Sequence, residues 1–139
     1  INNNNYDYIL LLQPTSLMRE TKEIDECIRK TIKNSFISMV SLVEAKSYPN
    51  FVYNLDNNNN LKPITKKFIN NTNSQNISKY YVPSGDIYFS EKNWILKEKK
   101  LISRKTKAYL IKNRFSIDID NEKDLSLAKL LFKKKKIRI

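Results

Sequence analysis

The chain has 139 residues, 26 Lys plus Arg against 14 Asp plus Glu, and a net charge of +12. That length suits one modest domain with a real core. No histidine, one cysteine and one glycine exclude histidine triads, histidine zinc sites, disulfide frameworks and glycine-rich phosphate loops within these residues.

Tyr6 to Leu12 is an almost wholly apolar run ended by Gln13-Pro14-Thr15-Ser16. It reads as a central strand covered on both faces, followed by a strand-to-helix loop. Glu20 to Asn34 places Ile24, Ile28 and Ile32 four apart among charges, which predicts an amphipathic helix with Thr21 capping its first turn. Phe36 to Glu44 is apolar and β-branched with interspersed serines, a second buried strand. Strand, helix, strand implies a parallel crossover.

Phe51 to Leu55 and Leu61 to Ile64 flank Asp56 and four asparagines, the signature of a hairpin. Lys66 to Ser78 is polar and Asn-rich and reads as an irregular excursion. Asp86 to Ser90 and Ala108 to Ile111 predict strands, and Asn121 to Phe132 predicts a helix with Leu125, Ala128, Leu131 and Phe132 on one face. Residues 133–139 are expected as a basic tail outside the fold. The alternation favours an α/β sheet with a protruding hairpin.

The charge is uneven. Residues 1–60 hold 6 cations and 7 acids, residues 61–139 hold 20 and 7, and 21 of the 26 cations are lysine. A lysine-rich solvated surface explains this, while a basic module for nucleic acid or acidic glycans is the reading from a different class. The tyrosines scatter through apparent strands, against concentrated nucleic-acid stacking. No apolar run approaches the roughly 18 to 20 residues of a membrane span, so a cytoplasmic location with no membrane partner is the default expectation. The chain opens on Ile1 and runs quickly into an apolar strand, which reads as a fragment of a larger protein.

Three places carry candidate chemistry. In Ile117-Asp118-Ile119-Asp120 the alternation of a strand would put both carboxylates on one side, roughly 6 to 7 Å apart, suited to a hard cation such as Mg²⁺; Asp120 could equally cap the following helix with Asn121. Gln13 lies at the carboxyl end of a buried strand, where open α/β sheets hold ligands, and its amide both donates and accepts; a loop-stabilising role explains it as well. Pro83-Ser84-Gly85-Asp86-Ile87-Tyr88 holds the sole glycine, marking an unusual backbone angle, a close approach or a plain turn. Cys27 reads as a small buried hydrophobe.

LLLQPTSLMR (10–19), PSGDIY (83–88) and SIDIDNEKDLSLAKLLF (116–132) together resemble the acylneuraminate cytidylyltransferases, the CMP-sialic acid synthetases, over the carboxyl-terminal portion of that family. The resemblance implies a partial nucleotidyltransferase fold, Rossmann-like, with a mainly parallel sheet flanked by helices across residues 1–132 and a dimerisation arm at about 48–82. It implies transfer of CMP from CTP to a nine-carbon 2-keto sugar acid with release of pyrophosphate, Mg²⁺ as cofactor, and a homodimer. Carried over, Asp118 and Asp120 are the catalytic, metal-binding pair, and Gln13, Gln75, Ser84, Gly85 and Tyr88 contact the substrate. The family's basic, glycine-containing CTP loop has no counterpart here, so these residues alone are expected to be inactive. Where the family carries asparagine, two arginines and a lysine, this chain has Ser84, Val82, Ser74 and Phe51. Each lost charge-assisted contact would cost about 1.5 to 3 kcal/mol, so either another sugar acid is accommodated, with Lys79 or Lys66 supplying charge, or the copy is a degenerate remnant. A nucleotidyltransferase for a different activated sugar is a third reading, against which the SIDID segment argues.

Overall fold

A computed structural model describes residues 5–65, 79–112 and 117–135. The element order is β1 (Tyr8–Leu11), α1 (Thr21–Lys33), β2 (Ser38–Glu44), a short 3-10 turn (Pro49–Phe51), β3 (Tyr53–Leu55), β4 (Leu61–Pro63), β5 (Tyr81–Glu91), α2 (Lys92–Glu98), β6 (Lys107–Leu110) and α3 (Glu122–Lys135). The chain divides into two compact units, one of residues 1–43 with 83–139 and one of residues 44–82.

The first unit is built on a four-stranded sheet in the order β1-β5-β2-β6. β1 pairs antiparallel with β5, Tyr8 opposite Glu91 and Leu11 opposite Tyr88, while β2 pairs parallel with β6. Contacts between β5 and β2 run in opposite directions, from Glu91 N–H on the Ile37 carbonyl to the Ser41–Ser84 pair. β1, β2 and β6 therefore point one way and β5 the other. The expected mainly parallel sheet is corrected to a mixed one. The β1-α1-β2 crossover is parallel, but β5 lies between its two strands. Parallel neighbours need a crossover helix, whereas a strand returning from an excursion that left β2 can lie directly alongside it in the opposite sense. β5 returns in this way after residues 44–82.

α1 begins one residue earlier than a Thr21 cap would place it. Glu20 is the extended cap residue, and its N–H donates to the Glu23 carboxylate at 3.1 Å. The buried stripe runs through Ile24, Cys27, Ile28 and Thr31, with Thr31 Oγ1 donating to the Cys27 carbonyl. Ile32 is 52% exposed. Each step of four residues advances about 40° around a helix, so the third isoleucine has rotated off the core face. The core gathers Cys27, Met39, Ile87, Phe89, Tyr109 and Ile111, flanked by Tyr8, Leu12 and Phe36. Tyr109 donates its hydroxyl to Glu26 at 2.8 Å, tying β6 to α1. The Lys30 ammonium first, then this hydroxyl, holds the Glu26 carboxyl below its ordinary range.

β1 departs from the expected central strand. It has one strand neighbour among the described residues, and Ile9, Leu10 and Leu11 are exposed. α2 had no counterpart in the sequence reading; it ends where Lys99 adopts a left-handed conformation and donates its N–H to the Ile95 carbonyl. α3 is capped by Asn121, whose side-chain oxygen accepts from the Lys123 and Asp124 N–H groups. It buries Ala128, leaves Leu125 exposed and runs on through Lys135. No helix among the described residues is long and apolar enough to cross a membrane.

In the second unit β3 and β4 form the expected antiparallel hairpin, Tyr53 opposite Pro63. Asp56 closes its turn by accepting the N–H groups of Asn58 and Asn60. Those bonds, that from Asn60 first, hold its carboxyl below the ordinary range. Phe51, Tyr53, Leu55, Leu61 and Ile64 are all exposed.

Candidate functional site

β1 delivers Gln13 just beyond its carboxyl end, and a tight turn follows in which Ser16 N–H donates to the Gln13 carbonyl at 3.2 Å. Gln13 N–H donates to the Gly85 carbonyl on the facing stretch of β5. Gly85 sits at φ +77°, where side chains other than glycine are strained, and a Cβ there would collide with Gln13 Oε1 and Ser16 Oγ. Both causes offered for the sole glycine, the unusual angle and the close approach, are therefore present, and what approaches is the Gln13 loop itself.

Arg19 fixes that loop. Its guanidinium donates to the Gln13 carbonyl at 2.8 Å and to the Asp86 carbonyl at 3.1 Å, a fork spanning the loop and β5. Beneath it lies a buried hydroxyl cluster. Ser16 Oγ donates to the Ser84 carbonyl at 3.2 Å, and Ser41 and Ser84 hydroxyls share a hydrogen bond of 2.8 Å. Ile87 N–H donates to Ser41 Oγ at 2.8 Å. Serine hydroxyls thus bond backbone groups of β5 on either side of the positive-φ Gly85.

The third segment arrives beside the first. Asp118 forms an antiparallel bridge with Ser16, and Ile119 N–H donates to the Thr15 carbonyl at 3.2 Å. Ile117 is buried, Asp118 exposed, Ile119 half-buried and Asp120 exposed. Burial thus alternates along the segment, which holds a single bridge and not a strand. Asp120 N–H donates to the Asp124 carboxylate at 3.2 Å, so helix α3 anchors this end of the segment. Tyr88 is buried on β5, and burial first, then the Asp118 carboxylate, pushes its hydroxyl above the ordinary phenol range. Tyr88 is thus a protonated donor at neutral pH, close enough to Asp118 to sense its charge.

The structure brings Gln13, Ser84, Gly85, Tyr88 and Asp118 into one neighbourhood, with Asp120 two residues further on. Ser84 is buried with its hydroxyl engaged by Ser41. Gln75, with Ser74 and Lys66, lies outside the described residues. Lys79 is ion-paired with Glu44 at 3.1 Å. Arg19 and Ser41 were missed as site residues. The signal for Ser41 was a hydroxyl inside an otherwise apolar buried strand, and for Arg19 a lone arginine beside the glutamine loop.

Among the described residues no three His, Cys, Asp or Glu side chains are grouped to hold a metal. Two exposed carboxylates nevertheless fit Mg²⁺, which keeps most of its waters and takes one or two carboxylates plus substrate phosphates. Cys27 is not a nucleophile, since burial pushes its thiol up to about 11.

No protein-family model matches the chain. Among curated proteins it is 27% identical over 118 residues to an N-acylneuraminate cytidylyltransferase of Streptococcus agalactiae serotype V, covering 83% of this chain and 28% of that protein. It is 28% identical over 132 residues to an N-acylneuraminate cytidylyltransferase of Escherichia coli O18:K1:H7, covering 94% of this chain and 31% of that protein. It is also 22% identical over 133 residues to the post-translational flagellin modification protein B of Campylobacter coli, covering 96% and 56%. The chain thus resembles cytidylyltransferases over most of its own length and spans under a third of theirs.

Proposed function

We propose that this chain is part of a cytidylyltransferase that makes a CMP-activated nine-carbon 2-keto sugar acid from CTP, releasing pyrophosphate. The observation that carries the reading is the bridge between Ser16 and Asp118, which sets the glutamine loop and the aspartate pair side by side although about a hundred residues separate them. Three segments chosen from sequence for their likeness to one enzyme family meet at this place, with Gly85 beneath Gln13.

In this reading the anomeric hydroxyl oxygen attacks the α-phosphorus of CTP. The bond from that phosphorus to the bridging oxygen breaks, and pyrophosphate leaves with the electron pair. The Asp118 carboxylate takes the hydroxyl proton, and Gln13 and the protonated Tyr88 orient the sugar acid. Asp118 and Asp120 would hold Mg²⁺, which supplies charge neutralisation for the phosphates. Gly85 is the sole glycine of the sequence, so a glycine-rich phosphate loop is not supplied by these 139 residues. The Ser84 hydroxyl is engaged by Ser41 while its carbonyl accepts from Ser16 of the loop, which leaves Gln13 and Tyr88 the main sugar contacts among the described residues. A second copy covers the apolar hairpin, because a lone two-stranded hairpin is marginal in water.

The test is a titration of the isotopically labelled chain with N-acetylneuraminic acid, followed by amide NMR, beside an assay of CTP-dependent pyrophosphate release. The reading expects shifts at Gln13, Gly85 and Tyr88 and no turnover by this chain alone. Shifts confined to other surfaces, or turnover without added polypeptide, would contradict it.

A further inference from the structure

Outside the site, the most distinctive surface lies on α2 and the segment after it. Leu96 is 64% exposed, and Leu101 and Ile102 are exposed beside it. The left-handed turn at Lys99 folds the chain back so that Ile95, Leu96, Lys99, Lys100 and Leu101 line an open, mostly apolar cleft of about 380 Å³. Lys99 and Lys100 line the cleft, and Lys97, Arg104, Lys105 and Lys107 lie close to it in sequence, all six exposed, with Glu98 the one carboxylate of residues 95–107 and Lys107 over the Phe36 ring at 5.4 Å. Among the described residues none of these six cations is in an ion pair.

We infer that this face docks on an anionic lipid surface, the lysines among the headgroups and Leu96, Leu101 and Ile102 at the acyl boundary. Charge complementarity identifies the occupant. Five of the six cations are lysines, compact point charges on flexible stems, and such groups respond to charge density more than to the shape of a particular ligand. A specific acidic peptide would be met by a preorganised fork such as that of Arg19. Stacked nucleic-acid bases would need exposed aromatics, whereas the exposed apolar groups here are aliphatic and Trp94 is half-buried. Lysine stems also lie along apolar surface while their ammonium groups stay wet. The attachment is peripheral and needs no spanning helix, none of which is present among the described residues.

The test is co-sedimentation of the 139-residue chain with vesicles of phosphatidylcholine alone or with roughly 30% phosphatidylserine added. Binding is expected only to the anionic vesicles, and it should fall at least tenfold on raising the salt to about 0.5 M, where charges on the surface are screened. The double variant Lys99→Glu with Lys100→Glu should weaken binding about 30-fold or more, at about tenfold per 1.4 kcal/mol and about 1 kcal/mol per basic residue at the surface. Leu96→Ser with Leu101→Ser should weaken it several-fold. Circular dichroism should show both variants folded. Equal sedimentation with neutral vesicles, binding unchanged in the Lys99→Glu, Lys100→Glu variant, binding lost instead on deleting residues 133–139, or capture of RNA or an acidic peptide without capture of vesicles would each overturn the inference.

Discussion

Replacing Gly85 with alanine should disrupt the site more than any other single-methyl change. Gly85 holds φ at +77°, and a left-handed backbone costs an alanine about 1 to 2 kcal/mol. The new methyl would also displace Gln13 Oε1 and Ser16 Oγ. The glutamine tip can swing aside, but Ser16 is buried and its hydroxyl is bonded to the Ser84 carbonyl at 3.2 Å. Losing that bond adds about 1 kcal/mol. The sum, about 2 to 3 kcal/mol, corresponds to a fall of about 1 to 2 M in the urea midpoint for a domain of this size. Urea titration followed by far-UV circular dichroism measures it, and amide NMR should show the largest shifts at Gln13 to Ser16. A variant within about 0.5 kcal/mol of the parent, with an undisturbed glutamine loop, would refute the claim that glycine is required there.

Arg19→Ala removes two charge-assisted bonds to carbonyls and should destabilise by about 3 kcal/mol, with Arg19→Lys recovering at most half because lysine lacks the fork; urea melts check both. Ser41→Ala removes the hydroxyl that accepts from the buried Ile87 N–H and pairs with Ser84, so it should cost about 2 kcal/mol. Combining it with Ser84→Ala should cost less than the two single changes together by at least about 0.5 kcal/mol in a double-mutant cycle. The buried Cys27 thiol should react with iodoacetamide at pH 8 about a hundredfold more slowly in the folded chain than in urea, since its acidity lies near 11 against 9.0 in the unfolded chain. Its contribution to stability is complete below pH 9 and is lost as pH rises through about 11, which a pH series of urea melts would register.

The sequence made the local elements legible wherever one physical signal dominated. The Asx turn at Asp56, the asparagine cap of α3 and the apolar core of β2 all follow from side-chain chemistry close at hand. The sheet order did not, because the antiparallel insertion of β5 depends on a pairing between residues about fifty apart, for which hydrophobic patterning has no term. Ile32 misled because a spacing of four is close to the helical period without matching it. α2 was hidden in a lysine-rich stretch whose aliphatic residues remain exposed. At the candidate site, Gln13, Gly85 and Asp118 could be singled out from sequence, but Arg19 and the serine cluster bond to β5 or across strands through contacts spanning 43 to 68 residues, which only the fold reveals.

The most direct test of the account is paramagnetic broadening by Mn²⁺, used as a stand-in for Mg²⁺, in amide spectra of the labelled chain. Broadening is expected to centre on Asp118 and Asp120, to spread across the bridge to Thr15, Ser16 and Tyr88, and to disappear in the Asp118→Asn, Asp120→Asn double variant. Broadening centred elsewhere, or unchanged in that variant, would contradict it.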